Sequence, residues 1–449
     1  MIIPRQITPS LKEHLVNSSK ILALLGPRQV GKTTLIKELL EEIKKENGIS
    51  PRNVFTFSLD DTEILAKWQS NPKEIIKTIE FSLGKPLSEQ QEKVFLFIDE
   101  AQKAPAIFDI LKLLHDNHKD KIKIIISGSS SLLIRQKSAE TLTGRINLFH
   151  LGPLSWREIA SYAVSPISPT TSIIGQICQG KLEWKDTLAW NADFYRQSDK
   201  TKLYWNQLLL YGGLPEVFLS TDSVQKTTFL RDYLKTYLEK EIRLLSEVGD
   251  IDLFTKILTS IFVQDAKLLN LTKLAEQFGV NRHTLRKYYS ILKETFLLKS
   301  LEPQISKNRQ RAVKSEKIIF FDNGLVNYLA KISSMEQLLG SPREGTATES
   351  VIINGTIAAT TNMPMPPELR YWRDYNDNEI DLVIDNGQQV IPIEITTATK
   401  PNQDKIRNFS AFWKSYPQSP FGILLYSGDP QQISVGEKKL YLLPHWLWW

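Results

Sequence analysis

Five apolar residues in a row, Ile21–Leu25, precede a glycine-punctuated stretch, and apolar positions then recur every three or four residues through "TLIKELLEEIKK". A segment apolar at every residue reads as a strand buried on both faces; 3.6-residue periodicity reads as an amphipathic helix. Unbroken apolar runs return at Val94–Ile98 and in "KIKIIIS" (Lys121–Ser127), with helical patterns between them. Strands of that kind alternating with helices predict an open parallel α/β sheet.

The pattern changes after residue 255. In "NLTKLAEQFGVNRHTLRKYYSILKETF", Leu271, Leu274, Ala275 and Phe278 fall at i, i+3, i+4 and i+7. Asn270 and Asn281 stand where N-caps belong, and Gly279 stands where the first helix must end. This is helix-turn-helix spacing. "FLLKSLEP" and "KIIFFDNG" then read as two strands of a hairpin, the wing of a winged helix. Near the C-terminus, "EIDLVID" and "QVIPIEIT" flank Asn386–Gly387, a turn signal between two strands. A preceding helix carries Glu349.

The chain has 449 residues, more than one core holds, so two to four domains are expected. It is 41% hydrophobic and 24% charged, ordinary for a globular protein. No apolar run approaches the ~20 residues of a membrane span, and no signal-peptide pattern opens the chain. The single cysteine, Cys178, excludes an internal disulfide and any multi-cysteine metal site, and a cytoplasmic protein is expected. The net charge of +6 is unevenly placed: Lys256–Ile332 holds fourteen Lys or Arg against six Asp or Glu. The rest of the chain is slightly acidic, so one module carries the basic character a polyanion would meet.

Chemistry concentrates first at Gly26-x4-Gly31-Lys32-Thr33, set between the first strand and its helix. That is a P-loop in its required setting. The backbone of Gly26, Pro27, Arg28, Gln29, Val30 and Gly31 would curl around phosphate oxygens at a helix N-terminus, with Thr34 following. Lys32 would reach the β- and γ-phosphates of ATP, and the Thr33 hydroxyl would bind Mg²⁺. Asp99 and Glu100 end the second apolar strand, where open α/β sheets place ligands. Asp99 would hold Mg²⁺ through water, and Glu100 would activate the attacking water. Ser127 and Ser129, ending the third strand, are candidates to sense the γ-phosphate.

"GPRQVGKTT", "LDD", "IDEAQK", "ISGSSSLL", "LTGRINLFHLGPLSWREI" and "YGGLPEV" together resemble the AAA+-type ATPases of bacteria and archaea that carry an uncharacterised C-terminal domain. The resemblance covers nearly the whole chain, with a gap near residues 165–200. It implies that Lys32, Thr33, Asp99 and Glu100 keep the roles above and that Arg145 is an arginine finger or sensor, a surface ion pair being the alternative. "YGGLPEVFL" would be a lid element beside the nucleotide or a plain interhelical turn.

The C-terminal stretch resembles a restriction-endonuclease-like core, whose pattern is a helical acid, an Asp on one strand and Glu-x-Lys on the next. Carried over, the acids are Glu349, Asp381 and Glu394. The lysine position holds Thr396, with Lys400 and Lys405 as substitutes from downstream. A degenerate site kept for binding is expected.

The fold class expected is therefore α/β: a P-loop NTPase parallel sheet with a helical lid, then a winged helix and a smaller α+β restriction-endonuclease-like domain. The divisions are 1–205 for the ATPase (insertion about 165–200), 206–255 for the lid or linker, 256–335 for the winged helix and 340–449 for the last domain. Nucleic acid, DNA ahead of RNA, would meet Arg282, His283, Arg286 and Lys287 on the second helix. It would also meet Lys307, Arg309, Arg311 and Lys314 on the wing, with Lys317 continuing the basic run. The function expected is ATP hydrolysis coupled to that contact, with no membrane partner and self-association left open. The alternatives are a nucleotide-dependent scaffold acting on a protein partner and an ATP-gated metal-dependent nuclease.

Overall fold

A computed structural model describes residues 3–129, 140–167, 172–182, 184, 196–245, 250–305 and 315–448. Two compact units emerge. One comprises residues 4–152 and 294–296; the other comprises 153–293 and 297–449 together with the first residues of the chain.

The first unit is built on β1 (Ile21–Leu25), β2 (Val54–Ser58), β3 (Val94–Asp99), β4 (Ile122–Gly128) and β5 (Ile146–His150), all parallel in the order β2-β3-β4-β1-β5. β1, β3 and β4 are buried at every position, as their unbroken apolar runs require. The helix Lys32–Asn47 follows β1 directly and buries Leu35, Ile36, Leu39, Leu40 and Ile43 along one stripe. It stops at Gly48, whose φ of 61° only glycine adopts easily and whose N–H bonds the Lys44 carbonyl. Register pairs Leu24 with Ser127 and Ile98 with Ile126, so the C-terminal ends of β1, β3 and β4 share one edge.

The second unit carries a nine-stranded sheet. Its strands are β6 (Lys267–Leu268), β7 (Leu298–Pro303), β8 (Lys317–Phe320), β9 (Glu368–Arg373), β10 (Glu379–Asp385), β11 (Val390–Ile395), β12 (Phe421–Tyr426), β13 (Gln431–Val435) and β14 (Lys438–Pro444). The expected helix pair forms as Leu271–Phe278 and Arg282–Glu294. Asn270 accepts hydrogen bonds from the N–H groups of Thr272 and Lys273, and Asn281 accepts one from Thr284. β7 and β8 form the expected hairpin, extended by β6. β7 also pairs in parallel with β9 at Glu302–Arg370 and Pro303–Tyr371, which makes the hairpin and the C-terminal strands one sheet. β10 and β11 meet as predicted across Asn386–Gly387, with Gly387 at φ 83°. Part of the stretch at 165–200, read as an insertion, forms the helix Ile173–Cys178, whose Ile173, Ile174 and Ile177 enter the core of this unit.

"YGGLPEV" and "FDNG" turn out to be two halves of one buried joint. Asp322 is 3% exposed and accepts a 2.7 Å hydrogen bond from the Gly213 N–H, while capping the helix Asn323–Leu329 through Leu325. Burial raises its carboxyl to about 6, against the backbone donors that favour the ionised form. Asn327 donates to the Leu209 and Leu210 carbonyls just upstream. At Gly212 a β-carbon would lie 2.1 Å from the Asp322 carboxylate, at a backbone angle of φ 77°.

Gly212→Ala should therefore lower unfolding stability by about 2–5 kcal/mol, the sum of backbone strain and overpacking. Gly279→Ala, with open space around a helix end at φ 63°, should lose only about 1 kcal/mol. Urea midpoints of the two variants test the contrast.

Candidate functional site

The P-loop leaves β1 at Gly26, where a β-carbon would lie 2.0 Å from the Leu151 carbonyl oxygen, so only glycine passes. Gln29 at φ 60° and Gly31 at φ 93° turn the chain back on itself before Lys32 opens the helix. Lys32 is 5% exposed and its ammonium donates to the Gly26 and Pro27 carbonyls at 2.9 and 2.8 Å, folded into the loop it would share with phosphates. Pro27 and Val30 are buried, Arg28 is half-buried, and Gln29 and Thr34 are exposed.

The residues expected to hold Mg²⁺ come together. The Thr33 hydroxyl donates to Asp99 Oδ2 at 2.5 Å, although 66 residues separate them. The Ser127 hydroxyl bonds the other oxygen, Oδ1. A hydroxyl and a carboxylate side by side, next to a lysine at a helix N-terminus, suit a hard cation shared with phosphate oxygens. The fit rests on that donor set.

Glu100 occupies the left-handed region at φ 56°, ψ 42°, a backbone strain of about 1–3 kcal/mol for a residue other than glycine. Its carboxylate accepts from Ser129 Oγ at 3.0 Å and from Gln102 Nε2. Ser127 and Ser129, read as γ-phosphate sensors, thus touch the two acids themselves. Gln102 was not singled out from the sequence, although it lies within the quoted "IDEAQK". It also donates to Ser129 at 3.1 Å, and its buried carbonyl oxygen Oε1 has no partner.

Arg145 makes the surface ion pair that stood as the alternative to the arginine-finger reading. It precedes β5 at the edge where β1 begins, its carbonyl bonded to the Ile21 N–H, while the P-loop lies at the other end of β1. Five residues of strand, about 16 Å, intervene. Its guanidinium grips Asp116 with two hydrogen bonds of 2.6 and 3.1 Å, and that pairing, with His115 assisting, draws the Asp116 carboxyl down to about 2. Arg145 forms a surface ion pair at the end of β1 opposite the P-loop.

In the second unit, Arg282, His283, Arg286 and Lys287 are exposed on the second helix of the pair. Lys307, Arg309, Arg311 and Lys314 lie outside the described residues. Lys317, read as the end of that basic run, does something else. Its side chain is 1% exposed, and its ammonium meets Glu349 at 2.6 Å, Glu379 at 2.8 Å and Asp381 at 3.3 Å. Register explains the correction: Lys317 begins β8 opposite Leu301 of β7, which turns it inward.

The three nuclease-like acids are therefore brought together, and lysines occupy the space between them. Lys405, on the helix Gln403–Ser415, contacts Asp381 at 3.1 Å and Glu394 at 2.6 Å. Asp381 Oδ2 also accepts from the Ile395 N–H, and Glu394 Oε1 accepts from Asn408 at 2.6 Å. Burial alone would raise Asp381, but Lys405 and Lys317 hold it well below the usual range; Glu394, fully buried beside Asp381, is pushed up. Burial raises Glu349 to about 8 against the pull of Lys317. Thr396 stays apart, bonded through its backbone to Leu425 and His445. Each oxygen of Asp381 and Glu394 already has a protein partner, so this arrangement does not fit a metal ion. Among the described residues no cluster of His, Cys, Asp or Glu is arranged to hold one.

The parallel sheet and its loop define a P-loop NTPase fold in the first unit. Residues 18–160 match the family described as an AAA domain, residues 202–336 a domain of unknown function (DUF8612) and residues 344–446 a second domain of unknown function (DUF4143). The N-terminal part of the chain is thus similar to AAA domains, and two segments on its C-terminal side are similar to domains of unknown function. An uncharacterized protein of Mycobacterium tuberculosis is 24% identical over 402 residues, 90% of this chain and 76% of the relative. An uncharacterized protein of Haemophilus influenzae is 22% identical over 310 residues, 68% of each chain. Among solved structures, AMPPCP-bound DnaA from Aquifex aeolicus aligns with 15% identity over 64% of this chain and 86% of that one, at a TM-score of 0.23, too low to carry an argument. Among the described residues no helix is long and apolar enough to cross a membrane.

Removing the Lys317 charge leaves three carboxylates facing one another in the interior. Lys317→Met should destabilise the second unit by about 3–5 kcal/mol. Adding Glu349→Gln to that variant should restore part of the loss, as chemical denaturation of the single and double variants will show.

Proposed function

We propose that this chain binds ATP with Mg²⁺, hydrolyses it, and uses its nucleotide state to govern a nucleic-acid contact made by the helix pair Leu271–Glu294. The observation that carries the reading is the meeting of Thr33 with Asp99 beside Lys32. Lys32 would exchange its two loop carbonyls for β- and γ-phosphate oxygens, and Thr33 and Asp99 would hold the cation. The bound ion supplies neutralisation of phosphate charge. Glu100, aimed by Ser129 and Gln102, would take the proton of the attacking water. Asp99, Glu100 and the two serines approach from β3 and β4, the strands next to the P-loop strand on one side, so the acids face the phosphates along a single edge.

Nucleic-acid contact is supported by the exposed Arg282, His283 and Arg286 at the start of a helix preceded by a tight turn. It is further supported by the β7–β8 hairpin that follows the helix pair, where the winged-helix reading puts a wing. The saturated cluster at Glu349, Asp381 and Glu394 favours a C-terminal domain that binds over one that cleaves, because Lys317 and Lys405 fill the position a nuclease gives to cations.

Glu100→Gln should bind ATP and lose turnover, and Lys32→Ala should lose both; unchanged hydrolysis in the first would remove Glu100 as the base. Low-salt titration with fluorescent duplex DNA should give an affinity falling steeply with salt. Replacing Arg282 and Arg286 with glutamine should reduce the slope of log K against log salt by about two. Absence of binding at low salt would leave the ATPase intact and favour a protein partner.

A further inference from the structure

The N-terminal "PRQ" was given no role by the sequence patterns, yet Arg5 is 9% exposed and reaches the P-loop. One guanidinium nitrogen donates to the Val30 carbonyl at 2.7 Å and another to the Gly152 carbonyl, also at 2.7 Å. A β-carbon built on Gly31 would have this guanidinium as its nearest neighbour, at 3.9 Å.

The direction of a carbonyl fixes the amide beyond it. In a planar trans peptide the N–H points opposite to the C=O. Holding Val30 O therefore holds the Gly31 N–H, the amide just before the helix Lys32–Asn47, where a phosphate would bind. The second contact leads elsewhere. Gly152 is the last residue of the first unit before the chain passes into the second, and Pro4, next to Arg5, begins the first unit on the N-terminal side. Residues 151–152 touch the P-loop at both its ends: Gly26 packs on the Leu151 carbonyl, and Val30 is joined to Gly152 through Arg5.

We propose that Arg5 is a positioning residue of the nucleotide site, which orients the Val30–Gly31 peptide and ties it to the segment where the chain leaves the ATPase unit. The proposal rests on the ATP reading above. Arginine suits the task because its planar fork holds two separate carbonyls in a fixed geometry, whereas a lysine ammonium is a point charge on a flexible stem.

The test uses the full chain in four forms: wild type, Arg5→Gln, Arg5→Lys and Lys32→Ala. ATPγS affinity, steady-state ATP hydrolysis and hydrogen exchange of peptides spanning residues 146–156 are measured on each. Arg5→Gln should weaken ATPγS binding and raise KM by about tenfold to a hundredfold, the loss expected for charge-assisted hydrogen bonds, while kcat at saturating ATP stays close to wild type. Arg5→Lys should recover part of the affinity. ATPγS should slow exchange around Leu151–Gly152 in wild type and leave it unchanged in Arg5→Gln. A merely structural arginine would lower the melting temperature without moving KM. Wild-type affinity and a wild-type exchange response in Arg5→Gln would overturn the proposal. If Arg5→Gln does not fold, Arg5→Lys decides: an affinity and exchange response equal to wild type overturn it, and a partial loss upholds it. Failure of the wild type to bind ATPγS, or undiminished binding by Lys32→Ala, would instead overturn the nucleotide reading.

Discussion

A parallel strand cannot turn directly onto its neighbour; each needs a crossover, so all strands of such a sheet end at the same edge. The order β2-β3-β4-β1-β5 converts that rule into a site. Residues far apart in sequence arrive together because their strands run the same way: Thr33 follows β1, Asp99 ends β3 and Ser127 lies at the end of β4. Buried runs such as "VFLFID" leave no freedom of register, since sliding a strand would expose its apolar residues or bury its terminal acid without a partner. The catalytic geometry proposed here is thus a by-product of packing. Glu100, like Gln29 in the P-loop, departs from regular backbone, and the strain at Glu100 is where the sheet hands over to chemistry.

How much of this the sequence carries depends on distance along the chain. The P-loop, its strand and helix, the helix pair with its asparagine caps and the Asn386–Gly387 hairpin depend on neighbours a few residues away, and each appears where the pattern put it. Lys317 shows the opposite case. By sequence it ends a basic run, and composition assigns it to solvent. By register it begins a buried strand, and its partners stand 32, 62 and 64 residues downstream. Arg145 illustrates a related limit: a motif fixes its neighbours along the chain and says nothing of which end of a sheet they occupy. Arg5 was invisible because a hydrogen bond to a backbone carbonyl leaves no trace in the identity of the residue that accepts it.

Arg5 and Lys317 are two buried cations solved in different ways. Arg5 donates to two backbone carbonyls beside the phosphate loop. Lys317 is surrounded by the carboxyl groups of Glu349, Glu379 and Asp381, which hold its ammonium protonated against burial.

Why the second unit keeps so costly a cluster follows from the sheet it spans. β7 and β9 pair over two residues only, and one of them, Pro303, has no N–H to donate. That joint connects the hairpin following the helix pair to the C-terminal strands, and its backbone hydrogen bonds alone would hold it weakly. Lys317 comes from β8 on one side of the joint, and Glu379 and Asp381 come from β10 on the other. Tyr371 of β9 places its ring 5.9 Å from the Lys317 ammonium and its hydroxyl on the Ser315 carbonyl. Buried ion pairs add little net stability over well-packed apolar residues, but they penalise every arrangement that separates them. An apolar patch would tolerate sliding between the hairpin and the C-terminal strands. Three carboxyl groups around one ammonium do not, so the cluster fixes the register of a joint that two residue pairs cannot fix alone.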